Sequence, residues 1–216
     1  MLWGGVADGG ELELRRSRSG EARLRGRFPY GKAAVLSDGG RDGRPRKELF
    51  EPRAFEYRVN IPSEDIHLLV GHDYDHPLAS KSTGTLSLRD TAAALLFEAL
   101  IPPAVAETTH GRDALALIGA GLAVGLSPGF RIPPRRAVAE AETFEEEPDD
   151  GTLDEDGNPR RGAIIRRVRA ALLYELSVVT RPAFPEAQVE ARAWQSDAPA
   201  RPQLLPLRQT LARWRR

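Results

Sequence analysis

IHLLVGHDYDHPLASKSTGTLSLRDTAAALLFEALI, residues 66–101, holds three strand-length segments set between polar turns. Ile66–Val70 is an apolar run of strand length, closed by Gly71. Gly71–Ser82 is polar and rich in turn formers and reads as a loop. Gly84–Leu88 and Leu95–Ile101 read as two more strands, with Arg89–Thr91 as their turn. In the second, Leu96, Glu98 and Leu100 alternate with Leu95, Phe97, Ala99 and Ile101, the pattern of a strand with one well-buried face. Short strands separated by polar turns predict a β-rich α+β domain rather than a parallel sheet of alternating strands and helices.

Toward the N-terminus, Phe28–Leu36 is a strand candidate that runs into the turn-rich segment Ser37–Pro45. Glu48–Phe55 has a helical or turn-like spacing of Leu49, Phe50 and Phe55. Toward the C-terminus, Thr108 or Thr109 caps a helix over Arg112–Gly121, with Leu115, Leu117 and Ile118 on one side. Ala123–Ile132 is extended and interrupted by Gly125, Pro128 and Gly129, and Ala163–Thr180 supplies one or two strands. Glu140–Asn158 reads as a solvated acidic connection. The chain thus divides into a flexible leader (1–26, with one short strand around Glu11–Leu14), a folded domain (27–192, with an acidic loop at 140–162) and an Arg/Pro-rich tail (193–216). Both ends read as disordered, with a short amphipathic helix at Leu204–Trp214.

Composition narrows the function. The 216 residues are 41% hydrophobic, enough for one domain of ordinary size plus tails. Lys and Arg (31) balance Asp and Glu (31), which argues against a protein whose main task is coating nucleic acid. There is no cysteine, so disulfides, thiol catalysis and cysteine-ligated zinc are excluded. The first residues hold no apolar run of signal-peptide length, and Ala114–Leu126 is too short and glycine-broken to span a bilayer. These features predict a soluble protein acting where it is made, with no membrane or nucleic-acid partner and no cofactor.

Three residues stand out as candidates for chemistry. His72 follows the apolar strand in Gly71-His72-Asp73-Tyr74-Asp75-His76-Pro77, and a rigid strand is a good mount for a general base. The plain alternative is a solvated loop histidine. The same segment permits a metal reading through His72, Asp73, Asp75 and His76, although Pro77 argues against a helix that would align them. Ser127 lies in Gly125-Leu126-Ser127-Pro128-Gly129-Phe130, where flanking glycines leave room for a nucleophile's approach. This is not a nucleophile elbow, since Arg131–Pro134 starts no helix easily and Pro128 has no N–H to offer an oxyanion. The alternative here is a bulged strand. Glu175 sits in the apolar run Leu172–Thr180, where a carboxylate is costly unless paired or turned to solvent.

Taken in order along the chain, several segments resemble the prohead protease family of tailed phages, related in fold to herpesvirus assemblin. Phe50-Glu51-Pro52-Arg53-Ala54-Phe55 resembles F-x-P-G-A-F, with Arg53 at the glycine position. Leu68-Leu69-Val70-Gly71-His72-Asp73 resembles an apolar strand ending in N-H-D, with Gly71 for Asn. Ser82-Thr83-Gly84-Thr85-Leu86 with Leu95-Leu96-Phe97-Glu98-Ala99 resembles S-G-T-L … L-x-F-x-A. Gly125–Phe130 resembles G-x-S-x-G-F, and Glu175–Phe184 resembles E-x-S-x-V-x-x-P-A. The resemblance covers about Phe28–Arg192.

It implies a closed, assemblin-like β-barrel surrounded by a few helices, and a serine–histidine peptidase that cuts capsid and scaffold proteins as a phage-like head matures. By position, Ser127 would be the nucleophile and His72 the base. Glu175 is the choice for the third member, with His76 and Asp73 as substitutes and Gly129 N–H as a candidate oxyanion donor. Implied partners are the major capsid protein with its scaffold-like segment, and the protease itself, through autoprocessing and a possible homo-oligomer. The implied place of action is the assembling prohead in the host cytoplasm. Two rival readings are a non-catalytic assembly or scaffold protein, and a metal-dependent hydrolase built on His72, Asp75 and His76.

Overall fold

A computed structural model describes residues 13–16, 20–39, 43–123, 125–153, 157 and 159–184. The chain order is β1 (Glu13–Arg16), β2 (Ala22–Pro29), β3 (Ala33–Ser37), β4 (Arg46–Phe50), α1 (Glu56–Asn60), β5 (His67–Val70), β6 (Asp73–Ser80), β7 (Leu86–Asp90), β8 (Ala94–Ile101), α2 (Pro103–Ala106), α3 (Thr109–Gly119), β9 (Gly125–Arg131), β10 (Glu142–Glu146), β11 (Ile164–Val168) and β12 (Leu172–Val179). The β-rich α+β class stands. The strands form three four-stranded sheets, ordered β1-β2-β8-β7, β10-β11-β4-β3 and β6-β5-β12-β9. The closed barrel implied by resemblance is not found: among the described residues no hydrogen-bonded ladder joins one sheet to the next.

Several local expectations change. Residues 22–26, read as leader, belong to β2, where Ala22 and Leu24 are fully buried and alternate with exposed Arg23 and Arg25. Phe28–Leu36 is not one strand: β2 ends at Pro29, the chain turns at Gly31, and β3 begins at Ala33 in a different sheet. Glu48–Phe50 is strand, and the helix begins after it at Glu56. Asp73–Ser80, read as loop because of its polar residues, pairs with β5 through register shifts that absorb Pro77. The acidic connection contains β10, whose carboxylates meet Arg166 and Arg167 of the neighbouring strand and Arg44 of the loop before β4. The helix α3 starts three residues earlier than expected; Thr108 Oγ1 accepts from Gly111 N–H at 3.1 Å, and Leu115 and Ile118 are buried while Leu117 faces out. The tail and its amphipathic helix, like the first residues of the leader, lie outside the described residues.

The core explains why distant phenylalanine-bearing segments matter together. Phe50 lies 5.0 Å from Phe55, 4.9 Å from Phe130, 5.3 Å from Phe28 and 5.4 Å from Phe184, ring centre to ring centre. The contacts with Phe28 and Phe130 are edge-to-face and the other two are tilted; an edge-to-face pair adds about 0.5–1.5 kcal/mol beyond burial of its area. These contacts draw β2, β4, the start of α1, β9 and the segment after β12 onto one centre. Asp90 reinforces it: Tyr30 Oη donates to one carboxylate oxygen at 2.6 Å and Phe55 N–H to the other at 3.1 Å. Burial raises the pKa of both Asp90 and Tyr30.

Candidate active site

The third sheet carries the site. In β5, β12 and β9, Leu68, Leu176 and Leu126 point into the core. Alternation then sends His67, Leu69, Glu175, Ser177, Ser127 and Gly129 to the other face. The register makes these residues direct neighbours: Glu175 lies between His67 and Gly129, and Ser177 between Leu69 and Ser127. Residues opposed in an antiparallel pair have Cα atoms about 4.5–5.5 Å apart. Sequence spacing alone could not bring 127 beside 177; the β9–β12 pairing does.

His72 reaches this face from the β5–β6 hairpin. Val70 pairs with Asp73, leaving a two-residue turn with Gly71 at φ 63° and His72 at φ 64°. Positive φ at both central residues is the type I′ geometry, which suits Gly and Asn first and tolerates His. Gly71 thus satisfies the same backbone demand that Asn would. Gly71 N–H bonds to Val178 O at 3.0 Å and seats the turn on β12.

The His72 ring closes onto Glu175: Nδ1 lies 2.7 Å from Oε1. Glu175 is 3% exposed, whereas the His72 side chain is 45% exposed, so a buried carboxylate anchors an accessible imidazole. Of the three residues considered for the third place, only Glu175 meets the ring. His76 and Asp73 pair with each other at 2.9 Å on the solvent side, and Asp75 uses its backbone N–H to bond Asp73. Among the described residues no group of three or more His, Asp or Glu side chains is gathered to hold a metal, so nothing in this geometry favours the metal reading.

Two serines face each other across β9 and β12, and their surroundings differ. Ser177 is fully buried; its Oγ accepts from His72 N–H at 2.8 Å and donates to Glu175 Oε2 at 2.7 Å. Ser127 is half-buried, and its hydroxyl makes no hydrogen bond among the described residues, to His72 included. A buried hydroxyl engaged on both sides cannot attack a polypeptide. A half-buried, uncommitted one can.

Sequence reasoning missed two contributors. Ser177 was legible only as part of a motif, although its i+2 spacing from Glu175 puts both on one strand face. Gly129, considered for its N–H, has a steric part: a Cβ there would overlap Glu175 Oε1 and come within 2.6 Å of Cδ. Only glycine leaves the carboxylate room to lie flat toward His72. Tyr74 also borders the site, its pKa raised by burial and then by the charge of Glu175.

No described helix is long and apolar enough to cross a membrane. No curated protein and no solved structure matches the chain. A family model does, over residues 39–201, a span that takes in the whole of the face just described. The segments read from the sequence and the match along three quarters of the chain agree: this protein belongs to the caudovirus prohead serine proteases.

Proposed function

We propose that the protein is the endopeptidase that cuts capsid and scaffold proteins, and itself, as a tailed-phage or phage-like head matures, with Ser127 as nucleophile, His72 as general base and Glu175 as the group that orients His72. The observation that carries this reading is the 2.7 Å contact of His72 Nδ1 with buried Glu175 on the sheet face that also holds the uncommitted Ser127 hydroxyl. With its proton on Nδ1, the imidazole keeps a lone pair on Nε2. His72 takes the Ser127 proton as Oγ attacks a peptide carbonyl, and Glu175 steadies the imidazolium. The C–N bond breaks as His72 returns the proton to the leaving amine, and water then clears the acyl-enzyme by the same relay. The open His72–Ser127 hydrogen bond is consistent with catalytic bonds that tighten only around substrate.

Substrates would be partners packed in the same shell: the major capsid protein with its scaffold-like segment. Confinement raises effective concentration, so intrinsic affinity can be low. The test is head assembly with Ser127→Ala. Capsid and scaffold chains should stay uncut, with processing reduced at least 10⁴-fold by an order-of-magnitude estimate. Normal processing would instead overturn Ser127 as the nucleophile; its loss on chelation would then mark the metal-dependent rival and its persistence a non-catalytic assembly role.

A further inference from the structure

We infer that Ser177 is a positioning residue that fixes the tautomer of His72 by holding the Glu175 carboxylate on its ring, an inference that rests on His72 acting as the base. The argument is one of donors and acceptors. The His72 backbone N–H can only donate, so at 2.8 Å it makes Ser177 Oγ an acceptor. The single proton of that hydroxyl is then free to go to Glu175 Oε2, 2.7 Å away. The carboxylate therefore accepts on Oε2 and has Oε1 left for the ring, 2.7 Å from Nδ1. Oε1 can only accept, which calls for the proton on Nδ1 and leaves Nε2 as the base; Ser177 acts by fixing the carboxylate so that Oε1 stays on the ring.

The four groups make a closed circuit: His72 backbone, Ser177 hydroxyl, Glu175 carboxylate, His72 ring. It ties both ends of one residue to one carboxylate. His72 needs this because its turn holds it at φ 64°, where few non-glycine residues rest, and its side chain is otherwise 45% exposed. Ser177 is fully buried, so water does not compete for its bonds. Its location opposite Ser127 places the circuit beside the nucleophile.

The test uses the full chain with Ser177→Ala and Ser177→Thr. Two readouts are followed: kcat and KM for a p-nitrophenyl ester, and the ¹⁵N spectrum of the His72 ring, which distinguishes the two tautomers. Ser177→Ala should lower kcat on the order of 10- to 100-fold with KM unchanged, since the base is misplaced and not the substrate. The His72 spectrum should change from one tautomer to a mixture, and Ser177→Thr should restore both. Retention of kcat and of a single tautomer in Ser177→Ala overturns the inference. If Ser177→Ala does not fold, Ser177→Cys, with its weaker donor, takes its place and the same spectrum decides. Ser127→Ala is measured alongside: activity persisting there sinks the reading of the site, whereas its loss beside an unaffected Ser177→Ala sinks this inference alone.

Discussion

Gly129→Ala is the sharpest perturbation of the site, because it adds one methyl group and removes nothing. Gly129 is in β9 at a backbone conformation open to any residue, so the substitution carries no backbone strain. The new Cβ would overlap Glu175 Oε1 and lie 2.6 Å from Cδ and 2.9 Å from Cγ. Ordinary carbon–carbon contact needs about 3.5–4.0 Å, so the carboxylate must retreat by about 1 Å. Oε1 is the atom 2.7 Å from His72 Nδ1, and that retreat breaks the contact. A misplacement of about 1 Å costs on the order of 10²-fold in rate, or about 2.7 kcal/mol in the barrier. Hydrolysis of a p-nitrophenyl ester measures it without knowledge of the cleavage preference. A double-mutant cycle isolates the cause: once Glu175 is Ala, Gly129→Ala should have almost no further effect. The same 10²-fold loss in the Glu175→Ala background would refute the steric argument and point to the backbone of Gly129 itself.

Two stability predictions follow from other parts of the fold. Arg53 sits at φ 62°, and its exposed pair with Glu56 contributes little. Arg53→Gly relieves about 1–2 kcal/mol of left-handed strain against about 0.5–1 kcal/mol of added chain entropy, so thermal melting should rise by about 1.5–3 °C; an unchanged or lower melting temperature contradicts this. Glu48 is 5% exposed and pairs with Arg166 at 2.9 Å; burial raises its pKa while Arg166 pulls it down. Arg166→Met strands the carboxylate and should cost about 2–3 kcal/mol at pH 7, below the usual range for a buried pair because Arg166 is 31% exposed. A raised folded pKa means that the folded state binds the proton more tightly. The deficit should therefore shrink as pH falls through that pKa toward the ordinary carboxylate value, as urea titrations at pH 7 and pH 4.5 would detect. A deficit that is constant or grows toward acid contradicts the assignment to Glu48.

What the sequence disclosed, it disclosed through local chemistry. Apolar runs such as Ile66–Val70 and the alternation in Leu95–Ile101 identified strands because one face of each must leave water. Polar strands escape this reading: Asp73–Ser80 pairs with β5 and buries only its last three residues, and Glu142–Glu146 is held by ion pairs to β11, so neither carries a full apolar alternation. His72, Ser127 and Glu175 were named from motifs, and the pairing of β9 with β12 and of β12 with β5 brings them to one face. Which of Glu175, His76 and Asp73 meets the ring depended on where a positive-φ turn aims it, a matter of geometry that spacing does not carry. The closed barrel was an expectation of resemblance alone, and the three open sheets replace it.

Activation of the Ser127 hydroxyl by His72 can be read out by treating the intact protein with diisopropyl fluorophosphate and locating the adduct by peptide mass spectrometry. The expected product is a single stoichiometric adduct on Ser127 that does not form in His72→Ala. An adduct on Ser177, or labelling of Ser127 that proceeds equally well without His72, would contradict it.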